Sequence, residues 1–177
     1  RRLGWDLWAL DLTHDLGVPV VAAVAVHPPS ERFAVGFGCH SNPDLALRRA
    51  VSELDQVFDP EGTVASPWDG IRASSLRHLH PAPEARAAAA AMPIESDDLS
   101  VHAATWARRL DERGLEMIVL DKSRPDILLH VAQVIVPGLR HPWPRFAPGR
   151  LYSVPVALGW LQEALTEAQL NPHPLLI

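Results

Sequence analysis

Residues 5–26 read WDLWALDLTHDLGVPVVAAVAV, and their pattern decides the fold class. Trp5 to Thr13 is apolar and aromatic enough for a strand, His14-Asp15-Leu16-Gly17 supplies a turn, and Val18 to Val26 pairs back as a second strand. Pro28, Pro29 and Ser30 end that strand, and alternation over Phe33 to Gly38 predicts a third, giving an antiparallel meander.

Downstream of the meander the period changes to that of a helix. Asn42 is an N-cap candidate, and Pro43 stands where its missing N–H costs nothing, so a helix is expected from there to about Phe58. Leu47, Ala50, Val51, Leu54, Val57 and Phe58 form its expected core stripe. Asp59 to His80 carries Pro, Gly and Ser without a clear period and reads as loop or short helix, while the alanine-rich Pro83 to Ala91 reads as helix. A second well-marked helix is expected from Ser96–Asp98 to a glycine cap at Gly114, burying Leu99, Ala103, Trp106, Ala107 and Leu110. Strands follow at Met117 to Asp121 and His130 to Val136, then a Pro- and Arg-rich loop over Leu139 to Pro148, and a last helix at about Val156 to Gln169.

The chain resembles itself at an offset of 110 positions: Gly4 with Gly114, Leu10 with Leu120, Asp11 with Asp121, Thr13 with Ser123, and Val21, Ala22, Val24 and Val26 with Val131, Ala132, Val134 and Val136. Each copy reads as helix end, glycine cap, strand, Asp-x-Thr/Ser turn, strand. This predicts an α+β fold of mixed or antiparallel sheets with packed helices, built by duplicating one helix-hairpin element. A helix would then precede Gly4 as one precedes Gly114, so residues 1–177 are expected to be part of a single domain whose N-terminal portion lies before Arg1.

Composition narrows the class of function. The chain has 177 residues, 47% hydrophobic and 21% charged, which suits a folded domain rather than a disordered segment. A net charge of -5 argues against nucleic-acid binding, which needs clustered excess Lys and Arg. The longest apolar run, Gly17 to Val26, is far shorter than the ~20 residues of a membrane span. A single cysteine, Cys39, excludes a disulfide scaffold, and a cytoplasmic location is expected.

Arg49, Glu53 and Gln56 share a sector of the first helix roughly opposite its apolar stripe, because steps of four and three residues return to one face. A guanidinium for phosphate oxygens, a carboxylate for a hard cation and an amide for either would suit a nucleotide site. From spacing alone, a solvated face with an ion pair worth about 0.3 kcal/mol is the simpler account. Gly36-Phe37-Gly38 precedes a helix N-terminus able to receive an anion, yet it is neither a Walker loop nor a full dinucleotide fingerprint, and tight packing explains it as well. Cys39 and His40 are neighbours in a strand and point to opposite faces, so they cannot form a nucleophile-base dyad. Zinc at His40, His78, His80 and Cys39 lacks any paired ligand spacing.

Four segments in order resemble the YcaO family of ATP-dependent backbone-modifying enzymes. They are Asp11-Leu12-Thr13-His14-Asp15-Leu16-Gly17-Val18-Pro19-Val20; Gly36-Phe37-Gly38-Cys39-His40 followed by Ala46-x-x-Arg49-Ala50-x-x-Glu53-x-x-Gln56; Gly114-Leu115-Glu116 with Asp121-Lys122-Ser123-Arg124-Pro125-Asp126 and Val134 to Leu139; and the tail Pro172-His173-Pro174. The resemblance implies an azoline-forming cyclodehydratase that uses ATP and Mg²⁺. In it, a Cys, Ser or Thr side chain of a ribosomally made precursor peptide attacks the preceding amide, and phosphorylation of the amide oxygen creates a leaving group.

The resemblance also assigns roles. Arg49, Glu53 and Gln56 match the nucleotide-site helix, with Glu53 and Gln56 as metal ligands, and this reverses the preference for a solvated face. Arg150 is a further nucleotide-binding candidate, and Pro172 and Pro174 match the proline-rich end of azoline formers, where they are read as catalytic. Further acidic metal ligands are implied before Arg1. Expected partners are the precursor peptide, a leader-peptide-binding protein, a flavin dehydrogenase and a second copy of the chain.

Two departures leave alternatives open. Leu176 stands where a third alternating proline is usual, so an amidine or thioamide product competes with an azoline, and Lys122-Ser123 replaces the usual Leu-Thr. A catalytically silent scaffold that docks peptide or partner is the alternative from another class.

Overall fold

The computed structural model describes residues 3–66, 68–81, 91–140 and 147–173. The expected helix over Pro83 to Ala91 lies outside them except for Ala91, which is not helical. The chain forms two units, one within Arg1–Glu95 and the other within Ser96–Leu175.

The first unit carries the meander: β1 (Asp6–Asp11), β2 (Val20–His27) and β3 (Arg32–Cys39), antiparallel in the order β1-β2-β3. Unlike a strand with one wet face, β2 is apolar from Val20 to Val26 because both of its faces are covered. Ala23 and Ala25 face α1 (Pro43–Val57) together with Trp5, Ala34, Ala50 and Leu54. On the other face, Val24, Val26 and Phe33 pack under two short 3-10 turns, Ala73–Ser75 and Arg77–Leu79, through Ala73, Leu76 and Leu79. Trp8 fastens this second layer by donating its indole N–H to the Leu79 carbonyl at 2.8 Å. Over Ala23 to Val26 the strand thus alternates small and large side chains, small toward the helix and large toward the looser layer.

Small residues bring α1 unusually close to β3. A Cβ on Gly38 would lie 1.9 Å from the Ala46 carbonyl oxygen, and one on Gly36 would lie 2.1 Å from the Leu54 nitrogen. The buried row of α1 is accordingly Ala46, Ala50 and Leu54. This corrects the expected stripe: Leu47 is 41% and Val51 43% exposed, because closest approach selects the alanine row facing the glycines, a rotation of one position. Phe58 keeps its place, edge-on to Trp5 with ring centroids 5.0 Å apart.

The second unit contains α2 (Leu99–Asp111), the hairpin β4 (Ile118–Asp121) and β5 (Ala132–Ile135), and α3 (Arg150–Ala157). In α2 the shielded residues are His102, Thr105, Trp106, Ala107, Arg109 and Leu110, whereas Leu99 is 80% exposed and Ala103 is exposed. Polar members are tolerated on that face because His102 Nε2 meets the Ser96 carbonyl at 2.7 Å and the Arg109 guanidinium lies over the Trp106 ring. The last helix lies earlier than expected. It starts at Arg150, includes Pro155, and gives way at Gly159, whose φ of +69° glycine adopts without steric cost. Only the turn Glu167–Gln169, closed by a Thr166–Gln169 capping box, remains of the predicted second half.

The duplication is visible as backbone geometry. In both copies an Asp side chain accepts the N–H two residues on, Thr13 N to Asp11 and Ser123 N to Asp121, each at 2.8 Å. The next hydroxyl then accepts the N–H that opens the second strand, Val20 N to Thr13 Oγ1 at 3.3 Å and Val131 N to Ser123 Oγ at 3.1 Å. Pairing of Asp11 with Val21 and of Asp121 with Ala132 corrects one detail: the first strands correspond at 110 positions and the second strands at 111. The second loop is one residue longer.

Candidate functional site

The candidate residues on α1 owe their placement to the packing just described. Because the alanine row faces the glycines, Arg49 and Glu53 flank the contact instead of lying opposite it. Strand β3 is the edge of its sheet, and α1 reaches the unpaired side of that edge. The Glu53 carboxylate accepts the Phe37 backbone N–H, and Arg49 Nη1 donates to the Cys39 carbonyl at 3.0 Å. Residues 37 and 39 are two apart, so both backbone groups point the same way, outward from β2. One carboxylate and one guanidinium are therefore presented side by side along a single strand edge.

Glu53 is half-buried and Arg49 exposed, and Gln56 sits exposed one turn beyond Glu53. The second oxygen of Glu53 and the remaining guanidinium N–H groups are what this arrangement has to offer a ligand. Hard oxygen donors suit Mg²⁺, and a guanidinium suits phosphate. Among the described residues there is no group of three or more His, Cys, Asp or Glu able to hold a metal ion. These residues therefore fit one side of a Mg-nucleotide and would supply only part of a metal shell.

The other candidate sites resolve into structure. Asn42 Oδ1 accepts the N–H groups of Asp44 at 2.9 Å and Leu45 at 3.3 Å, which closes the α1 N-terminus that was considered for an anion. His40 Nδ1 accepts the Asn42 N–H at 2.9 Å and makes no dyad with Cys39. Burial pushes the Cys39 thiol above its ordinary value, and the neighbouring Arg49 charge opposes that push. Since the residue as a whole is exposed, desolvation there is incomplete. His80 stacks on Trp8 with centroids 5.6 Å apart, and its Nε2 lies 3.1 Å from the Ala73 carbonyl.

In the second unit, Arg150 is the first residue of α3 and is half-buried, and Pro172 is exposed. Pro174 lies outside the described residues. No described helix is long and apolar enough to cross a membrane.

Reasoning from sequence missed the backbone partners of Arg49 and Glu53. The signal was present as glycines at alternate strand positions, 36 and 38, opposite alanines one turn apart, 46 and 50.

Comparison with known proteins gives three findings. The family described as YcaO cyclodehydratase, ATP- and Mg²⁺-binding, matches residues 1–140. An uncharacterised protein of Methanothermobacter thermautotrophicus is 31% identical over 158 residues, covering 77% of this chain and 39% of that protein. Two solved structures are similar across 99% of this chain: a heterocyclase in complex with substrate and cofactor (40% identity, TM-score 0.86, 25% of that chain covered) and the heterocyclase TruD (37% identity, TM-score 0.80, 26% covered). The chain thus spans about a quarter of the heterocyclases and two-fifths of the archaeal relative.

Proposed function

Because the chain belongs to the YcaO family, we propose that it is part of an ATP- and Mg²⁺-dependent cyclodehydratase acting on Cys, Ser or Thr of a ribosomally made precursor peptide. The observation that carries this reading is the joint presentation of Arg49 and Glu53 on the β3 edge. It is supported by the likeness to heterocyclases at 37 to 40% identity.

Bound ATP would supply the γ-phosphoryl group that turns the amide oxygen into a leaving group. In the peptide, the side-chain sulfur or oxygen gives up its proton and bonds to the amide carbon, the amide oxygen departs as phosphate, the nitrogen loses its proton and a C=N bond forms. The peptide loses the elements of one water per ring, and ADP and phosphate are the other products.

The residues of this chain act by binding and orientation. Arg49 holds phosphate oxygens through the N–H groups not given to Cys39, and Glu53, with Gln56, offers oxygen ligands to Mg²⁺. Fixing these groups before the ligand arrives removes part of the entropy cost of aligning phosphate and amide. Arg150 is a further phosphate contact, Pro172 and Pro174 belong to the catalytic end, and the remaining metal ligands come from other segments of the larger enzyme. Its partners would be the precursor peptide, a leader-peptide-binding protein, a flavin dehydrogenase and a second copy.

The test is calorimetric titration of Mg-ATP into the complete enzyme that contains this chain and into its Glu53→Gln variant, followed by mass spectrometry of candidate peptides. The amide of Gln still accepts the Phe37 N–H, so the variant removes charge while keeping the hydrogen bond. Loss of binding in the variant supports the reading, and equal binding refutes the role of Glu53.

A second reading rests on the same hydrogen bonds. Glu53 and Arg49 satisfy backbone groups of an edge strand, which is a structural task, and a silent scaffold that docks peptide or partner would use them only so. In that case neither protein binds Mg-ATP.

A further inference from the structure

We infer that Gly36 and Gly38 are positioning residues for the nucleotide site: they set the depth of α1 on β3 and thereby the placement of Glu53 and Arg49. The inference rests on the nucleotide-site reading above. It goes beyond that reading in assigning a role to two residues that carry no functional group.

The argument is geometric. Both glycines face α1, and what they meet is backbone, not flexible side chain. At Gly38 an added Cβ would stand 1.9 Å from the Ala46 oxygen and 2.5 Å from the Ala50 nitrogen. At Gly36 it would stand 2.1 Å from the Leu54 nitrogen and 2.4 Å from the Ala50 oxygen. Backbone cannot rotate away, so a methyl group at either position must move the whole helix.

Phe37 lies between the two glycines and donates its N–H to Glu53, while Cys39, next to Gly38, accepts from Arg49. The two functional side chains are therefore anchored to the very strand whose distance the glycines fix. Lifting α1 by the ångström or so that a methyl demands would stretch both anchors at once, and Glu53 and Arg49 would lose their shared orientation. Packing alone would also favour glycine here. What packing alone does not require is that the helix residues flanking the contact be tied to the strand between and beside the glycines.

The experiment compares the wild-type chain with Gly38→Ala and with Val26→Ala. Val26 is buried on the opposite face of the sheet, so its variant loosens the core without touching α1. Two quantities are read at a temperature where all are folded. One is the amide signal of Phe37 after ¹⁵N-phenylalanine labelling, which is tractable because the chain has four phenylalanines. The other is the Mg-ATP dissociation constant of the complete enzyme carrying the same substitution.

The expected result is an upfield Phe37 amide in Gly38→Ala with affinity weaker by roughly tenfold or more, because charge-assisted contacts to phosphate and metal are stretched. Val26→Ala should keep both readouts even if its melting temperature falls as far. If Gly38→Ala does not fold, Ala50→Val moves the same helix through its buried side chain and serves in its place.

An unmoved Phe37 amide overturns the inference outright. A moved amide with unchanged affinity also overturns it, provided Glu53→Gln still abolishes binding; the nucleotide reading then stands without it. No Mg-ATP binding by the complete enzyme that contains this chain sinks the nucleotide reading itself, and the functional half of the inference with it.

Discussion

The hydroxyl of Thr13 accepts the backbone N–H of Val20 at 3.3 Å while the threonine is 2% exposed, so the first hairpin is closed by a buried side-chain hydrogen bond rather than by its turn alone. Replacing Thr13 with Val keeps the shape and removes the acceptor, leaving the Val20 N–H without its partner. A loss of about 1–3 kcal/mol is expected. Urea denaturation checks it, and Thr13→Ser should recover most of the loss because the oxygen remains.

The equivalent residue of the second copy lies in a wetter setting and acts on charge. The Ser123 hydroxyl, followed by the Ser123 N–H, holds the Asp121 carboxyl below its ordinary value of 3.8. A depressed carboxylate stabilises the fold above the unfolded value and ceases to do so as pH falls through the folded one. The hairpin should therefore weaken only below about pH 4. In Ser123→Ala the Asp121 carboxyl should titrate at higher pH, as read by its ¹³C signal, and the fall of stability in acid that is linked to Asp121 should shrink. A titration unchanged by the substitution would exclude the hydroxyl as the cause.

Arg49 separates stability from binding. It is exposed, so its hydrogen bond to the Cys39 carbonyl contributes less than about 1 kcal/mol to the fold. Arg49→Leu should melt within a few degrees of the wild type yet weaken Mg-ATP by about tenfold or more, because a charge-assisted phosphate contact is lost. Equal affinity in the two proteins would assign Arg49 to the strand edge alone.

Much of this was legible in the sequence, for reasons that differ by element. The Asn42-Pro43 start of α1 and the β2 run were readable because each carries its own local signal. The duplication was readable because Asp-x-Thr/Ser fixes a turn through hydrogen bonds two residues apart. The buried row of α1 was readable only in part: Ala50 and Leu54 were expected in it, but Leu47 and Val51 are more hydrophobic than Ala46, and only contact with Gly36 and Gly38 turns the helix so that Ala46 is core. The α3 boundary failed similarly, since Pro155 reads as a helix start but stands inside one. As for the candidate site, residue types and spacing on α1 were readable, whereas the anchoring of Glu53 to Phe37 depends on a tertiary approach that no periodicity encodes.

The two hairpins allow a final comparison that separates hydrogen bonding from burial. The Leu12 N–H donates to the Val20 carbonyl and the Lys122 N–H to the Val131 carbonyl, both at 2.8 Å. Their loops differ in cover: Leu16 and Pro19 are buried in the first, whereas Leu128 of the second is 99% exposed and Leu129 is also exposed. If bond geometry set protection, the two amides would exchange at equal rates. Opening, however, costs what burial contributes, and a hairpin with little cover is marginal by itself. The Lys122 amide should therefore exchange faster than that of Leu12 by on the order of 100-fold after correction for local sequence. Equal protection would mean that the second hairpin draws as much stability from its surroundings as the buried first one does.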